Sequence, residues 1–272
     1  MKKGLPAWKL YSLEMDEAGK KIGEHFKSQG YDLIRVNPGK VIHDIEYFIP
    51  IVKKHVDARL TAKAISDCIN TDSRVLALYG HGGYHFFTYG LLKHAGGLVD
   101  DMGYIHIDHH HDSWFIDYKT LSCGAFVKQI YYDTHVCDSK GRLLYLGNDG
   151  GASKDIWLQN ALFGGELTEG SNLEKRLESM KVHDVYVTID LDVMRKGEVR
   201  TAFERGNLRL NELKSILKKI KQQKRIISAD ICGFTETNLP YADPEYLVGN
   251  GIPSFEQSMK VYKTLADTIM EE

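Results

Sequence analysis

What most constrains this chain is a recurring order: a short apolar or β-branched run, a glycine-rich or polar turn, then a longer amphipathic stretch. The runs VLALY (75–79), YIHID (104–108), LLYL (143–146), VYVTID (185–190) and IISADI (226–231) read as strands, with DLIRV (32–36) a weaker sixth. Helical stretches are expected at 16–29, 52–69, 86–95, 125–132, 211–223 and 255–270. The last repeats Met259, Tyr262, Leu265 and Ile269 on one helical face. Strand–helix alternation makes neighbouring strands parallel and covers both faces of the sheet with helices. The expected fold class is α/β: a single three-layer α/β/α domain over 1–272 with a mostly parallel sheet, since no Pro/Ser-rich linker or charge run divides the chain.

Charge and cysteine usage narrow the function. The 35 Lys+Arg nearly balance 37 Asp+Glu, which gives no global electrostatic reason to bind nucleic acid or an anionic membrane, and neither partner is expected. The N-terminal lysines precede an apolar stretch too short for a signal segment, broken by Pro6 and Lys9. Residues 75–92 carry no Lys, Arg, Asp or Glu, yet they contain His81, His85 and four glycines and make a poor bilayer span. Four cysteines without a CxxC pair read as reduced thiols, so a cytoplasmic location is expected.

In parallel α/β sheets, ligands gather at the C-terminal ends of the strands. Three such ends here carry metal-type donors: Gly80-His81-Gly82-Gly83-Tyr84-His85 after VLALY, Asp108-His109-His110-His111-Asp112 after YIHI, and Asp190-Leu191-Asp192 after VYVTI. Strand alternation would put Asp108, His110 and Asp112 on one side, and Asp190 with Asp192, provided the extended geometry persists past the strand. An Asp-x-Asp alone is more often a turn or helix cap. Three ionisable groups alternating at one strand end are costly without a cation, and three such pieces together point to a metal site.

Six donors, two imidazoles and four carboxylates, exceed the needs of one ion. Two divalent ions about 3.5 to 4 Å apart are a recurring hydrolytic device in which a shared water becomes hydroxide near neutral pH. With no thiolate in the set, a structural zinc or iron–sulfur site is disfavoured, and oxygen-rich mixed ligation suits manganese.

These residues resemble the arginase/agmatinase (ureohydrolase) family, whose binuclear manganese site lies in the motifs Gly-Gly-Asp-His-Ser, Asp-Ala-His-x-Asp and Ser-x-Asp-x-Asp-x-x-Asp-Pro. This chain has GGYHF, DHHHD and TIDLDVMRK in the same order, and the resemblance runs from about Gly80 to Asn238. It implies His85 and Asp112 on one ion, His110 and Asp192 on the other, and Asp108 and Asp190 on both. It also implies that Glu236, in a segment resembling the family's Glu-Val-Asn-Pro, faces a substrate guanidinium. A carboxylate suits that planar cation because it can bind it through two oxygens.

The chain departs from the family as a divergent member would. Tyr84 and Phe86 replace the first motif's Asp and Ser, and Arg195-Lys196 replace the third motif's Asp-Pro. Trp114 takes the place of an Asn that helps to hold the amino-acid end, and Val127 that of the proton-shuttle His. His81, His109, His111 and His135 are the replacement candidates for the shuttle.

The expected activity is therefore hydrolysis of a C–N bond in a small guanidino or amidino compound, or in an arginine side chain of a peptide, with Asp112 and Glu236 in catalytic roles and Glu236 and Trp114 binding substrate. Relatives of this fold usually form homo-oligomers, which is expected here by resemblance. Two alternatives stay open: a zinc-dependent amide deacylase, because histone-deacetylase-like proteins share the fold, and a catalytically weak sensor stabilised by its metal.

Overall fold

The computed structural model describes residues 6–38, 56–69, 72–99, 101–113, 120–133, 141–147, 162–163, 172–203, 205–236 and 252–271. The strands are β1 (Trp8–Leu13), β2 (Leu33–Val36), β3 (Val56–Asp57), β4 (Arg74–Tyr79), β5 (Gly103–Ile107), β6 (Thr120–Leu121), β7 (Leu143–Leu146), β8 (Leu162–Phe163), β9 (Asp184–Asp190) and β10 (Arg225–Cys232). The α-helices are α1 (Glu17–Ser28), α2 (Ala58–Cys68), α3 (Thr88–Ala95), α4 (Phe126–Asp133), α5 (Leu173–Ser179), α6 (Leu210–Gln223) and α7 (Phe255–Met270). Eight strands form one sheet in the order β2-β1-β4-β10-β9-β5-β7-β8, and every pairing in it is parallel. The two-residue strands β3 and β6 pair separately and antiparallel.

Alternation along the central strands divides the core. Leu76 and Leu78 of β4 and Val185, Val187 and Ile189 of β9 pack with α1, α5, α6 and α7, while Val75, Ala77 and Tyr79 face α2, α3 and α4. This gives the three layers expected of strands buried on both sides. The second face carries a polar ladder near its C-terminal end: Tyr104 and His106 on β5, Tyr186, Thr188 and Asp190 on β9, Asp230 and Cys232 on β10. Among the described residues, no helix is long and apolar enough to cross a membrane.

The expected strands appear with ends shifted by at most one residue, but five elements were not anticipated: β1, α5 and the two-residue strands β3, β6 and β8. In β1 the apolar run is broken by Lys9 and Ser12. Ser12 is accommodated in the core because its hydroxyl donates to Gly19 O at 3.0 Å. The expected helix 52–69 becomes β3 followed by α2, and its first residues, 52–55, lie outside the described residues. The expected helix 86–95 begins instead as a 3-10 turn over Gly82–Phe87 and turns α-helical at Thr88.

Candidate metal centre

The donors meet at the C-terminal edge of β4, β5 and β9, and local turns bring them there. Strand β5 ends at Ile107, so the expected alternation through Asp112 does not hold. Asp108 Oδ1 accepts the His110 backbone N–H at 2.6 Å, which folds the chain back immediately after the strand. Asp112 then takes φ 47, a left-handed conformation that Asp tolerates better than most residues. Asp190 is likewise followed by a 3-10 turn, and its Oδ1 accepts the Asp192 N–H at 3.0 Å. Side-chain-to-backbone bonds of this kind are a property of aspartate in turns.

The resulting cluster has two halves joined by Asp108. On one side His85 Nδ1 lies 3.2 Å from Asp108 Oδ2, 3.0 Å from Asp112 Oδ2 and 3.6 Å from Asp190 Oδ2. On the other, His110 Nδ1 lies 2.9 Å from Asp192 Oδ2 and 3.6 Å from Asp108 Oδ1. Gly82 sits above the centre, where an added Cβ would fall 2.7 Å from Asp190 Oδ2 and 3.3 Å from the Phe203 ring. A glycine there lets the backbone approach the carboxylates. The Phe203 ring stands 5.3 Å from that of His81 and 6.3 Å from that of His110, which makes an aromatic wall beside the cluster.

Four carboxylates that are only 1 to 6% exposed are expensive to keep charged side by side. Burial, reinforced by the Asp108 charge, pushes Asp112 up to about 6 and raises Asp190 as well. Asp192 rises well above the carboxylate range through burial and the neighbouring Asp190. Asp108 goes the other way: burial opposes its charge, yet His106, His110 and His85 around it hold it well below the usual value.

The bonding behind His85 tests whether a cation fits. Thr188 Oγ1 donates its single proton to Asp230 Oδ1 at 2.7 Å and therefore accepts from His85 Nε2 at 2.8 Å. Asp230 is itself fixed by the hydroxyls of Tyr79, Tyr186 and Thr88. That relay leaves His85 Nδ1 turned toward three carboxylates, fully buried and without a hydrogen bond. Burial alone would lower the basicity of His85, but Asp108 and Asp112 raise it well above its ordinary value. A ring nitrogen so placed calls for a cation, and Asp108, His110 and Asp192 form a second group whose donor atoms all lie within 4.8 Å of one another. The residues present therefore fit divalent ions.

Three groups beside the site were missed by sequence reasoning. His106 is fully buried, takes Tyr104 OH on Nδ1 at 2.9 Å and lies with Nε2 3.2 Å from Asp108 Oδ2. Cys232, directly opposite Asp190 in the β9–β10 register, donates to Asp190 Oδ2 at 3.5 Å, so the cluster does have a thiol beside it. Asp230 anchors the relay. The available signal was strand alternation: His106 is two residues before Asp108, and Asp230 two before Cys232.

The other expected residues are placed as follows. Glu236 does not stand free to meet a cation: its Oε2 is ion-paired with Lys21 Nζ on α1 at 2.5 Å, and its backbone oxygen is held by Arg200. Trp114 and His135 lie outside the described residues, as do residues 237–240 of the segment following Glu236. His81 is buried, accepts the Gly83 N–H on Nδ1 at 2.8 Å and is driven down to about 4 by burial, which keeps it neutral near pH 7. His111 Nδ1 is engaged by the Ser113 hydroxyl at 2.7 Å. Val127 is buried, with its N–H donated to Asp112 O at 3.0 Å.

Comparison with solved structures finds the same architecture in the arginase from Bacillus caldovelox, at TM-score 0.65 and 14% identity over 98% of this chain and 99% of that one. The agmatine ureohydrolase of Thermoplasma volcanium aligns at TM-score 0.60 and 14% identity over 97% and 89%. A hypothetical agmatinase from Burkholderia thailandensis aligns at 0.65 and 17% over 98% and 85%. Identities this low speak for the fold alone. No curated protein matches the chain. The sequence profile of the Arginase family, by contrast, matches residues 14–243. A profile match over most of the length speaks to descent, which a likeness of fold cannot do, and on that ground the chain belongs to the arginase family.

Proposed function

We propose that this chain is a hydrolase that uses two divalent ions to cleave a C–N bond of a guanidino or amidino compound, releasing urea or a related amide and an amine. The observation that carries this reading is the two-sided Asp108, with the buried His85 Nδ1 at one oxygen and His110 at the other. His85 and Asp112 would hold one ion, His110 and Asp192 the other, and Asp108 and Asp190 both. When bound, such a pair would supply a strong nucleophile from water at neutral pH and positive charge to stabilise the charge that develops during attack on the trigonal carbon. Taken together, the oxygen-rich six-donor set suits manganese.

The remaining work falls to the chain's own residues. Asp112, whose carboxylate lies at the edge of the cluster, is suited to accept a hydrogen bond from the attacking water. Glu236 is the proposed partner of the substrate cation, and the Lys21 ammonium stands where that cation would bind, so substrate must displace it. Trp114 is proposed to line the substrate's non-reacting end. We take the catalytic unit to be one domain over 1–272, cytoplasmic and homo-oligomeric. The thiols of Cys68, Cys123 and Cys232 are free, in keeping with a reducing compartment.

The test is metal analysis combined with urea and amine assays over a panel that includes arginine, agmatine, guanidino acids and arginine-containing peptides. Two ions per chain with turnover of at least one member is the expected result. Two ions with no turnover would sink the hydrolase reading in favour of a metal-stabilised sensor. A single zinc with acyl release from acetylated amines would replace it by the deacylase.

A further inference from the structure

We propose that Cys232 is a thiolate ligand of the ion held by His85, which makes that position a mixed nitrogen, oxygen and sulfur site with a preference for zinc over manganese. The inference rests on the metal-centre reading above and changes its metal at one of the two positions.

The geometry begins with strand register. Cys232 closes β10 directly opposite Asp190, which closes β9, and residues opposed in neighbouring strands project to the same face. Gly233 follows at φ 110, and an added Cβ there would meet Asp190 Oδ1 at 2.4 Å, so the β10 backbone passes tightly against the Asp190 carboxylate. The thiol is thereby held at the cluster. Cys232, Asp190 and His85 form one group whose donor atoms all lie within 4.8 Å of one another.

The two edges of this group that meet at Asp190 have the size a small ion needs. Metal bonds of about 2.0 to 2.3 Å in tetrahedral geometry set donor atoms roughly 3 to 4 Å apart. Asp190 Oδ2 is 3.5 Å from Cys232 Sγ and 3.6 Å from His85 Nδ1. The independent sign of a ligand is His85 Nδ1, 1% exposed, without a hydrogen bond, and turned toward the Asp112, Asp108 and Asp190 carboxylates. Asp112 Oδ2 and Asp108 Oδ2, 3.0 and 3.2 Å from the same nitrogen, complete a set of one nitrogen, three oxygens and one sulfur.

On binding, the Cys232 S–H bond breaks, the sulfur–metal bond forms, and the proton passes to solvent. No electrons are transferred. Thiolate favours zinc over the harder manganese, whereas the His110 position, with Asp108 and Asp192, keeps only nitrogen and oxygen donors. The two positions would therefore differ in metal preference.

The test uses the full chain. Zinc-loaded protein examined by X-ray absorption should show a sulfur shell at about 2.3 Å beside the nitrogen and oxygen shell at about 2.0 to 2.2 Å. Cobalt-loaded protein should show a sulfur-to-cobalt charge-transfer band in the near ultraviolet. The band should persist in Cys123→Ser and vanish in Cys232→Ser and Cys232→Ala. The ratio of zinc to manganese affinity should fall at least about tenfold in Cys232→Ser. Wild-type protein that binds metal without a sulfur shell, or a band that survives Cys232→Ser, would overturn the ligand assignment and leave the nitrogen–oxygen centre standing. Failure of the wild type to bind any divalent ion would overturn both.

Discussion

Asp190 engages the site through both oxygens: His85 Nδ1 and Cys232 Sγ lie near one, and the other accepts the Asp192 N–H. Asp190→Asn removes a charge that would stand beside two cations, whereas His110→Ala removes a neutral donor from one. Calorimetric manganese titration should therefore register the larger loss for Asp190→Asn, at least about tenfold beyond that of His110→Ala. Equal losses would mean that Asp190 does not bridge. Glu236 calls for a paired test because of Lys21, whose side chain is 39% exposed against 26% for Glu236. An ion pair this open is worth at most about 1 kcal/mol, so Lys21→Met should lower KM for a guanidino substrate by up to about fivefold. Glu236→Gln should lower kcat/KM by roughly ten- to hundredfold with metal content unchanged. If Glu236→Gln has no effect, this carboxylate is only the surface partner of Lys21, and the main reason for a cationic substrate lapses.

At the scale of elements, the site depends on the face that β5, β9 and β10 present to α2, α3 and α4. Thr188 lies in the middle of β9 and touches no expected ligand except His85, yet it passes the hold of Asp230 to the His85 ring. Thr188→Val keeps the shape and strand preference and removes the hydroxyl, which leaves His85 Nε2 and an Asp230 oxygen each short of a partner. Metal affinity should fall about 10- to 100-fold, and Thr188→Ser should restore it. Unchanged affinity in the valine variant would show that packing alone orients His85. The elements that sequence reasoning missed have local causes. Helix α5 buries only Leu173 and Leu177, too little for a periodic pattern to register. Strand β1 looks interrupted at Ser12 until that hydroxyl finds Gly19 O in the folded chain.

For the whole molecule, the crowded carboxylates link stability to pH and to metal. Asp112 titrates near 3.8 when unfolded and near 6 in the fold, so between those values the native state binds the extra proton. Stability of the metal-free protein must then fall as pH rises through that window, on the order of 1 to 3 kcal/mol from this group. Asp190 and Asp192 act in the same direction, and His85 and His110, both raised from 6.5, extend the loss above that value. Asp108, held low, opposes the trend only below its unfolded value of 3.8. Thermal melts of chelator-treated protein should give a higher Tm near pH 5 than near pH 7.5. Metal-loaded protein should show the reverse, because the ion replaces those protons and binds more tightly as they leave. A metal-free Tm that does not fall over that range would contradict the clustering of charge described here.

The sequence alone determined the α/β class and most of the sheet strands, and it singled out the six candidate donors His85, Asp108, His110, Asp112, Asp190 and Asp192 that the fold brings together. Those features are local: hydrophobic period marks a strand, and an ionisable residue at a strand's C-terminal end marks a place where sites form. How the donors converge was decided by turns and by a left-handed Asp112, because the backbone leaves extended geometry at Ile107 and strand alternation no longer applies. Tertiary structure alone put Lys21 against Glu236, residues 215 positions apart in the chain. It also put Cys232 against Asp190 and Thr188 between Asp230 and His85, through the register of β9 with β10 and the packing of α3 across them. No local pattern encodes which strands become neighbours. That choice follows from burying both faces of the sheet at once, and it added to six candidate donors a thiol and a relay that the sequence had left scattered.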